Sequence, residues 1–133
     1  MALITKDANA SLDAASAADA PQRSSLTAGE ALDSLAPCYI KGADGLVYMS
    51  NGTAANEASG FDGFTPKAYA IGASMVTLFG IGTKMRYATG LTPGAKLYIA
   101  ATKGRLDDTA TTGDAVGVAR AINATTIRIT RDV

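Results

Sequence analysis

The sequence predicts a small all-β protein: a compact antiparallel β-barrel or β-sandwich of two similar hairpin-containing halves, with an extended N-terminal arm. Short runs rich in β-branched and aromatic residues alternate with glycine turns, which is the pattern of antiparallel hairpins. One spacing also occurs twice, 59 residues apart, which indicates two related halves. Its members are Leu32, Tyr39, Ile40 and Gly45, then Leu91, Tyr98, Ile99 and Gly104.

The N-terminal residues 1–25 are predicted to form an arm or linker, and residues 26–133 a single β domain. Residues 7–25 are rich in Ala, Ser and Asp with almost no large side chains, so they bury little surface to offset their ordering entropy. Before them, Leu3, Ile4 and Thr5 form a small β-prone cluster. We expect this cluster to anchor the tip of the arm on the surface of a partner; disorder is the alternative.

The first hairpin is predicted at residues 38–40 and 46–49, joined by a loop whose Asp44-Gly45 pair suits a positive φ. Residues 51–66 contain several glycines and asparagines and are expected to form a long surface loop. Two phenylalanines of that loop, Phe61 and Phe64, either fold back on the body or contact a partner. They are therefore candidate partner-contact residues.

The second half contains further β segments. Glycines inside residues 67–87 indicate bends or bulges between strands. A second hairpin follows at residues 96–104, and residues 115–119 and 126–130 complete the sheet. Apolar and polar residues alternate strictly in the last segment, with Ile127 and Ile129 on one face and Arg128 on the other. We therefore expect one face to be buried and the other to be exposed to solvent.

Composition limits the possible functions. The chain has 133 residues, which fits one domain, and its 12 Lys and Arg balance its 12 Asp and Glu. It therefore has no overall field to attract a polyanion, and general nucleic-acid binding is disfavoured. Neither a secretory signal nor an apolar run long enough to span a membrane is recognised, so we expect a soluble protein with no membrane partner.

Few residues suit catalysis. The sequence has no histidine, which removes the usual general base and the commonest metal ligand. Cys38 fits a small buried strand residue, and the acids Asp107, Asp108 and Asp114 lack the spacing of an EF-hand calcium loop. We therefore predict no catalytic residue, no cofactor and no metal site. The basic residues of the second half are expected to form a solvated face rather than a docking surface; they are Lys84, Arg86, Arg105, Arg120, Arg128 and Arg131.

Two groups of segments carry a family likeness. Residues 27–32 and 38–50 resemble the opening hairpin of small bacteriophage capsid cement, or head decoration, proteins. Residues 90–99, 104–107, 115–119 and 125–129 are similar to a segment that cement proteins share with some phage fibre and tail modules. The resemblance covers residues 26–133 and leaves the arm unassigned.

The resemblance implies a compact β protein, usually a homotrimer, that binds the outer surface of a mature head and stabilises contacts between coat subunits. Its partner would be the major capsid protein, and it would be located on the virion after synthesis in the host cytoplasm. No nucleic acid, membrane or catalysis is implied.

Two other classes of function stay open. A receptor- or carbohydrate-binding module of a phage fibre or tail would stack Phe61, Phe64, Tyr69 and Tyr87 on sugar rings, although the absence of Trp weakens this hypothesis. An enzyme would have to use Cys38 or the adjacent aspartates Asp107 and Asp108, and the absence of histidine disfavours it.

Overall fold

The computed structural model describes residues 3–131, which form two antiparallel sheets, one of them curled into a half-barrel. The all-β prediction is confirmed. The strands of the described chain are β1 (Ser11–Leu12), β2 (Gln22–Leu26), β3 (Pro37–Ile40), β4 (Val47–Met49), β5 (Gly63–Phe64), β6 (Val76–Phe79), β7 (Lys84–Arg86), β8 (Lys96–Ile99), β9 (Leu106–Asp107), β10 (Ala119–Ala121) and β11 (Thr126–Ile129). A short helix, α1 (Ala14–Asp19), and a 3₁₀ turn at Glu57–Ser59 accompany them.

The two sheets repeat one strand arrangement. Strands β2 to β6, the first unit, pair in the order β2-β6-β5-β3-β4, and strands β7 to β11, the second unit, pair as β7-β11-β10-β8-β9. The extra strand β1 pairs with β7 at the edge of the second unit. In the equivalent hairpins, Tyr39 lies opposite Tyr48, and Tyr98 lies opposite Asp107. The predicted similarity of the two halves is thus present in their strand order.

The hairpin glycines predicted to need a positive φ have one. Gly45 has φ +71° and Gly104 has φ +76°, a left-handed conformation that L-residues with a Cβ adopt at a cost of about 1–2 kcal/mol. Their surroundings differ. A Cβ at Gly45 meets nothing within 4 Å, whereas one at Gly104 would lie 2.5 Å from the Met49 sulfur.

This difference predicts two unequal substitutions. We expect Gly45→Ala to lower the free energy of unfolding by about 1 kcal/mol, the backbone cost alone. Gly104→Ala should lower it by about 2 kcal/mol, because the buried Met49 side chain must also move. Urea denaturation of the two variants beside the unmodified protein measures both values. Equal losses would show that the Met49 contact relaxes freely.

Two hydrophobic clusters stabilise the units. The larger one lies under the second unit and takes its side chains mainly from the inward positions of the strands; it includes Met85, Leu97, Ile99, Leu106, Ala119, Ile127 and Ile129. Phe61 and Phe64 of the first unit join it. The smaller cluster lies within the first unit and includes Leu32, Cys38, Val47, Val76 and Leu78. Each sheet therefore has an apolar face against its own core.

The N-terminal segment, which the sequence predicts to be an arm or linker, lies along an edge of each sheet. The segment is largely extended, but β1 pairs with the second unit and β2 pairs with β6 of the first. Ile4, Ala10 and Leu12 pack against the larger core, and Ala17 of α1 is buried. Low side-chain bulk suggested a linker, whereas backbone hydrogen bonds at two sheet edges fix the segment. The first unit begins within it, at β2.

Among residues 3–131, no helix combines the length and the apolar character that crossing a membrane requires.

Candidate functional site

The outer face of the second unit carries five exposed basic side chains. They are Lys84 and Arg86 of β7, Lys96 of β8, Arg120 of β10 and Arg128 of β11. Their chain neighbours on these strands are buried in the larger core. Because successive side chains of a strand point to opposite faces, the same alternation that builds the core places the charges on the opposite surface.

Four of these residues form one row across the sheet, which we call the cationic row: Lys84, Arg128, Arg120 and Lys96. Arg128 lies directly opposite both Lys84 and Arg120, and Arg120 lies opposite Lys96. Neighbouring strands are about 4.8 Å apart, so the row extends about 15 Å. Like charges in directly opposite positions destabilise a sheet. The row therefore costs the free protein stability.

No carboxylate within residues 3–131 neutralises the cationic row. The ion pairs of the described chain join Arg86 to Asp7 at 2.8 Å, Lys103 to Glu30 and Arg131 to Asp114. In the row, Arg120 Nε donates to the Gly94 carbonyl oxygen at 2.9 Å, which fixes the guanidinium without cancelling its charge. The row thus presents four positive charges to solvent.

Arg86 lies beside the row but is neutralised by the N-terminal segment. Its guanidinium donates to Asp7, and the Asp7 pKa is lowered first by the hydrogen bond from the backbone N–H of Asn9 and then by Arg86. Asp7 therefore stays ionised over the neutral range. The N-terminal segment removes one charge from the face and leaves the row intact.

A cavity of about 350 Å³ opens beside the row. It is lined by Gly94, Arg120, Ala121, Ile122, Arg128 and Thr130. Ile122, in the turn between β10 and β11, is 45% exposed. The face thus places a recess with the exposed Ile122 beside Arg120 and Arg128, and arginine is enriched at protein interfaces.

The corresponding row of the first unit has a different chemistry. Pro37 lies opposite Phe64, Phe64 lies opposite Phe79, and Phe79 lies opposite Gln22. Pro37 and Phe64 are buried, and Phe64 belongs to the larger core. One half of this row, Pro37 and Phe64, therefore packs inside the chain in the first unit, whereas Gln22 at its other end is exposed and the whole row of the second unit is charged and exposed.

The predicted capsid-binding residues Leu3, Ile4 and Thr5 lie at a sheet edge of their own chain. Leu3 forms a bridge with Asp107, and the Ile4 N–H donates to the Leu106 carbonyl oxygen at 2.9 Å. Arg105 donates to the Ile4 carbonyl oxygen at 3.0 Å. The segment covers the exposed edge of β9, which would otherwise be open to pairing with another strand.

Phe61 and Phe64, which were expected either to fold back on the body or to contact a partner, are both buried, as the first alternative describes. Their rings meet edge to face with centroids 5.3 Å apart. Between them, Asp62 accepts a hydrogen bond from the Ile40 N–H at 2.8 Å and donates its own N–H to the Cys38 carbonyl oxygen. This anchor turns both rings inward. Because Tyr87 is also buried, three of the four rings proposed for sugar stacking are inaccessible.

The residues considered for catalysis or metal binding are Cys38, Asp107, Asp108 and Asp114. Burial raises the pKa of the Cys38 thiol far above neutrality, so it stays protonated and is a poor nucleophile. Asp107 is buried and accepts from the Thr109 N–H, whereas Asp108 is exposed. Buried Asp114 accepts from three backbone N–H groups. In the part of the chain from 3 to 131, no three His, Cys, Asp or Glu side chains are grouped to hold a metal ion.

Sequence reasoning found most of the basic residues but not their arrangement. Lys84, Arg120 and Arg128 were expected on a solvated face, and Lys96 was not singled out. The alternation within each strand gives the exposed side, but the pairing of β8 with β10 and of β11 with β7 creates the row.

In comparisons with known proteins, no protein-family model and no curated protein matches this chain.

Proposed function

We propose that this chain is a non-enzymatic bacteriophage capsid cement protein. It binds the outer surface of the head as an oligomer, a trimer in the simplest case, and stabilises contacts between coat subunits. The observation that carries the proposal is the cationic row, an exposed binding surface on a well-packed sheet that no acid of the described chain neutralises. A binding role needs such a surface and no reactive group.

The resemblance to cement proteins supports the same role. Its first motif, residues 38–50, spans the β3–β4 hairpin, and residues 90–99 enter and include β8. The first of these segments is thus a complete hairpin, and the second leads into the first strand of the corresponding hairpin. The major capsid protein is the partner in this proposal, and the outer surface of the virion is the location.

Exposed apolar side chains offer a surface for self-association. Ile71 and Met75, in the connection between β5 and β6, are 70% and 71% exposed. Burying 100 Å² of apolar surface contributes about 2.5 kcal/mol before the cost of association. Contacts between copies through this connection would favour an oligomer, and sedimentation equilibrium would then give three times the chain mass of 13.5 kDa.

Head stability tests the proposal. We expect the purified protein to bind expanded heads, assembled without it from the coat protein of the same phage, and to raise their melting temperature in a saturable manner. Differential scanning calorimetry measures the shift, and electron cryomicroscopy places the bound protein. Heads of an unrelated phage serve as the control. An unchanged melting temperature at saturating protein would contradict the proposal.

A further inference from the structure

We propose that the cationic row is the docking surface for an acidic, extended protein segment of the partner. The segment lies across strands β7, β11, β10 and β8, places its Asp or Glu side chains on the four cations, and inserts an apolar side chain beside Ile122. This inference rests on the proposed function in one respect, because the proposed function identifies the coat subunit as the partner. The chemistry of the surface itself comes from the register of the second unit.

Electrostatics provides the first argument. Each inner member of the row, Arg128 and Arg120, faces a like charge on both sides. Directly opposite like charges repel, and carboxylates placed over them would turn the repulsion into attraction. Arginine pairs with carboxylates through two parallel hydrogen bonds. A bound acidic segment therefore removes an internal cost and gains directional contacts.

Geometry provides the second argument. In an extended segment, side chains on the same side recur every two residues, or about 6.6 Å. Three such carboxylates span about 13 Å, which matches a row of about 15 Å. The row runs perpendicular to the strands; on the same face, Thr126 and Thr130 flank Arg128 and the half-buried Tyr98 flanks Lys96.

The recess beside the row identifies the class of partner. A cavity of about 350 Å³ next to Arg120 and Arg128 is bordered by Ala121 and the exposed Ile122, and it suits an apolar side chain. Single-stranded nucleic acid would instead require exposed aromatic rings for base stacking, and no aromatic residue belongs to the row. The balanced net charge also provides no general attraction for a polyanion.

The repeated architecture supports this assignment independently. In the first unit the equivalents of Lys96 and Arg120, which are Pro37 and Phe64, are buried by the chain itself, whereas Gln22 at the other end of the row is exposed. In the second unit no segment within residues 3–131 covers Lys96 and Arg120. This half of the row is thus a packing surface in one unit, and we infer that in the other a partner with opposite charge performs the packing.

A charge-alternating variant tests the proposal. The double change Lys96→Glu with Arg128→Glu leaves Lys84 and Arg120 positive and makes the other two positions negative, so the charges alternate in sign along the row. We expect its affinity for expanded heads to fall by about tenfold or more, and wild-type binding to weaken as salt is raised. The matched control, Lys41→Glu with Lys67→Glu, makes the same charge change on the first unit, where these lysines contact Tyr48 and Tyr69, and should bind like wild type.

The melting temperature of the row variant shows whether this variant is still folded. Because alternating signs replace repulsion by attraction, the row variant should melt at or above the wild-type temperature. If the row variant loses binding but keeps its stability, the lost binding is due to the changed surface and not to misfolding. If wild type and both variants bind heads equally, the docking proposal is overturned while the cement function stands.

Soluble polymers separate the partner classes without heads. Fluorescence anisotropy at low salt would compare poly-L-glutamate with single-stranded oligodeoxythymidine. We expect wild type to bind poly-L-glutamate and the row variant to lose that binding, a result that supports the docking surface even if heads are not bound and the proposed function fails. Binding of the oligonucleotide in preference to poly-L-glutamate would overturn the assignment to an acidic protein segment.

Discussion

Removal of residues 1–13 is expected to lower the free energy of unfolding by at least about 3 kcal/mol, a large part of the 5–15 kcal/mol typical of a domain. Apart from the β1 pairing, the segment donates three backbone hydrogen bonds to later residues: Ile4 to Leu106, Asp7 to Tyr87 at 2.8 Å and Asp13 to Lys84 at 3.0 Å. Each contributes about 1 kcal/mol net. Strand β1 adds its pairing of Leu12 with Met85.

Side-chain packing adds to this loss. Ile4 and Leu12 are partly buried against the larger core, and burying such a side chain completely contributes about 1.5–3 kcal/mol. The truncation also removes the Asp7 partner of Arg86 and so exposes one more positive charge beside the cationic row. The damage is therefore spread over the core, the sheet edge and the charged face.

Urea denaturation of the truncated and full-length chains measures the effect, with Ser11→Ala as the control. Ser11 is exposed, so its substitution should leave the midpoint within the error of the wild-type value. A truncated protein with an unchanged midpoint would mean that the segment is a dispensable arm, as its composition alone predicts.

Asp114→Ala is expected to destabilise the protein by about 3–4 kcal/mol. The carboxylate is 1% exposed and accepts from the N–H groups of Ile99 at 2.8 Å, Gly117 at 2.8 Å and Val116 at 3.1 Å. Alanine leaves the buried donors of Ile99 and Gly117 without an acceptor, and each such group costs about 1–3 kcal/mol. Arg131 also loses its partner.

The same carboxylate supports the strand that carries one end of the cationic row. Ile99 ends β8, the strand that carries Lys96, and Asp114 holds the loop that leads from this hairpin to β10. Asp114→Asn keeps one acceptor oxygen and should be intermediate in stability. Asp108→Ala is the control, because Asp108 is exposed and accepts a hydrogen bond from the neighbouring Thr109 hydroxyl. Equal stability of the alanine variants at 108 and 114 would refute this account of the buried carboxylate.

Local patterns predict the hairpins but not the strands with which the N-terminal segment pairs. The β3–β4 and β8–β9 hairpins follow from alternation and from glycines that adopt positive φ, and both signals lie in adjacent residues. Strands β1 and β2 contain few large side chains. Their hydrogen-bond partners, β7 and β6, lie fifty or more residues away in the sequence, so no local pattern predicts them.

The candidate site, too, follows only in part from local sequence patterns. Exposure of Arg128 follows from its place between Ile127 and Ile129, and this was predicted. Its neighbours across the sheet depend on which strands pair and in what register, and that choice is made by the whole fold. The inward turn of Phe61 and Phe64 depends likewise on the Asp62 contact with β3, which a glycine-rich loop sequence does not reveal.

The pairing of β1 with β7, and of Leu3 with Asp107, sets an order of events during synthesis. Residues 3–12 are made well before the strands that they pair with, since Leu12 pairs with Met85 and Leu3 with Asp107, so these pairings form only after the first unit has been made. Such distant contacts slow folding. A segment with few large apolar side chains is well suited to that delay, because it offers little for a neighbouring nascent chain to bind.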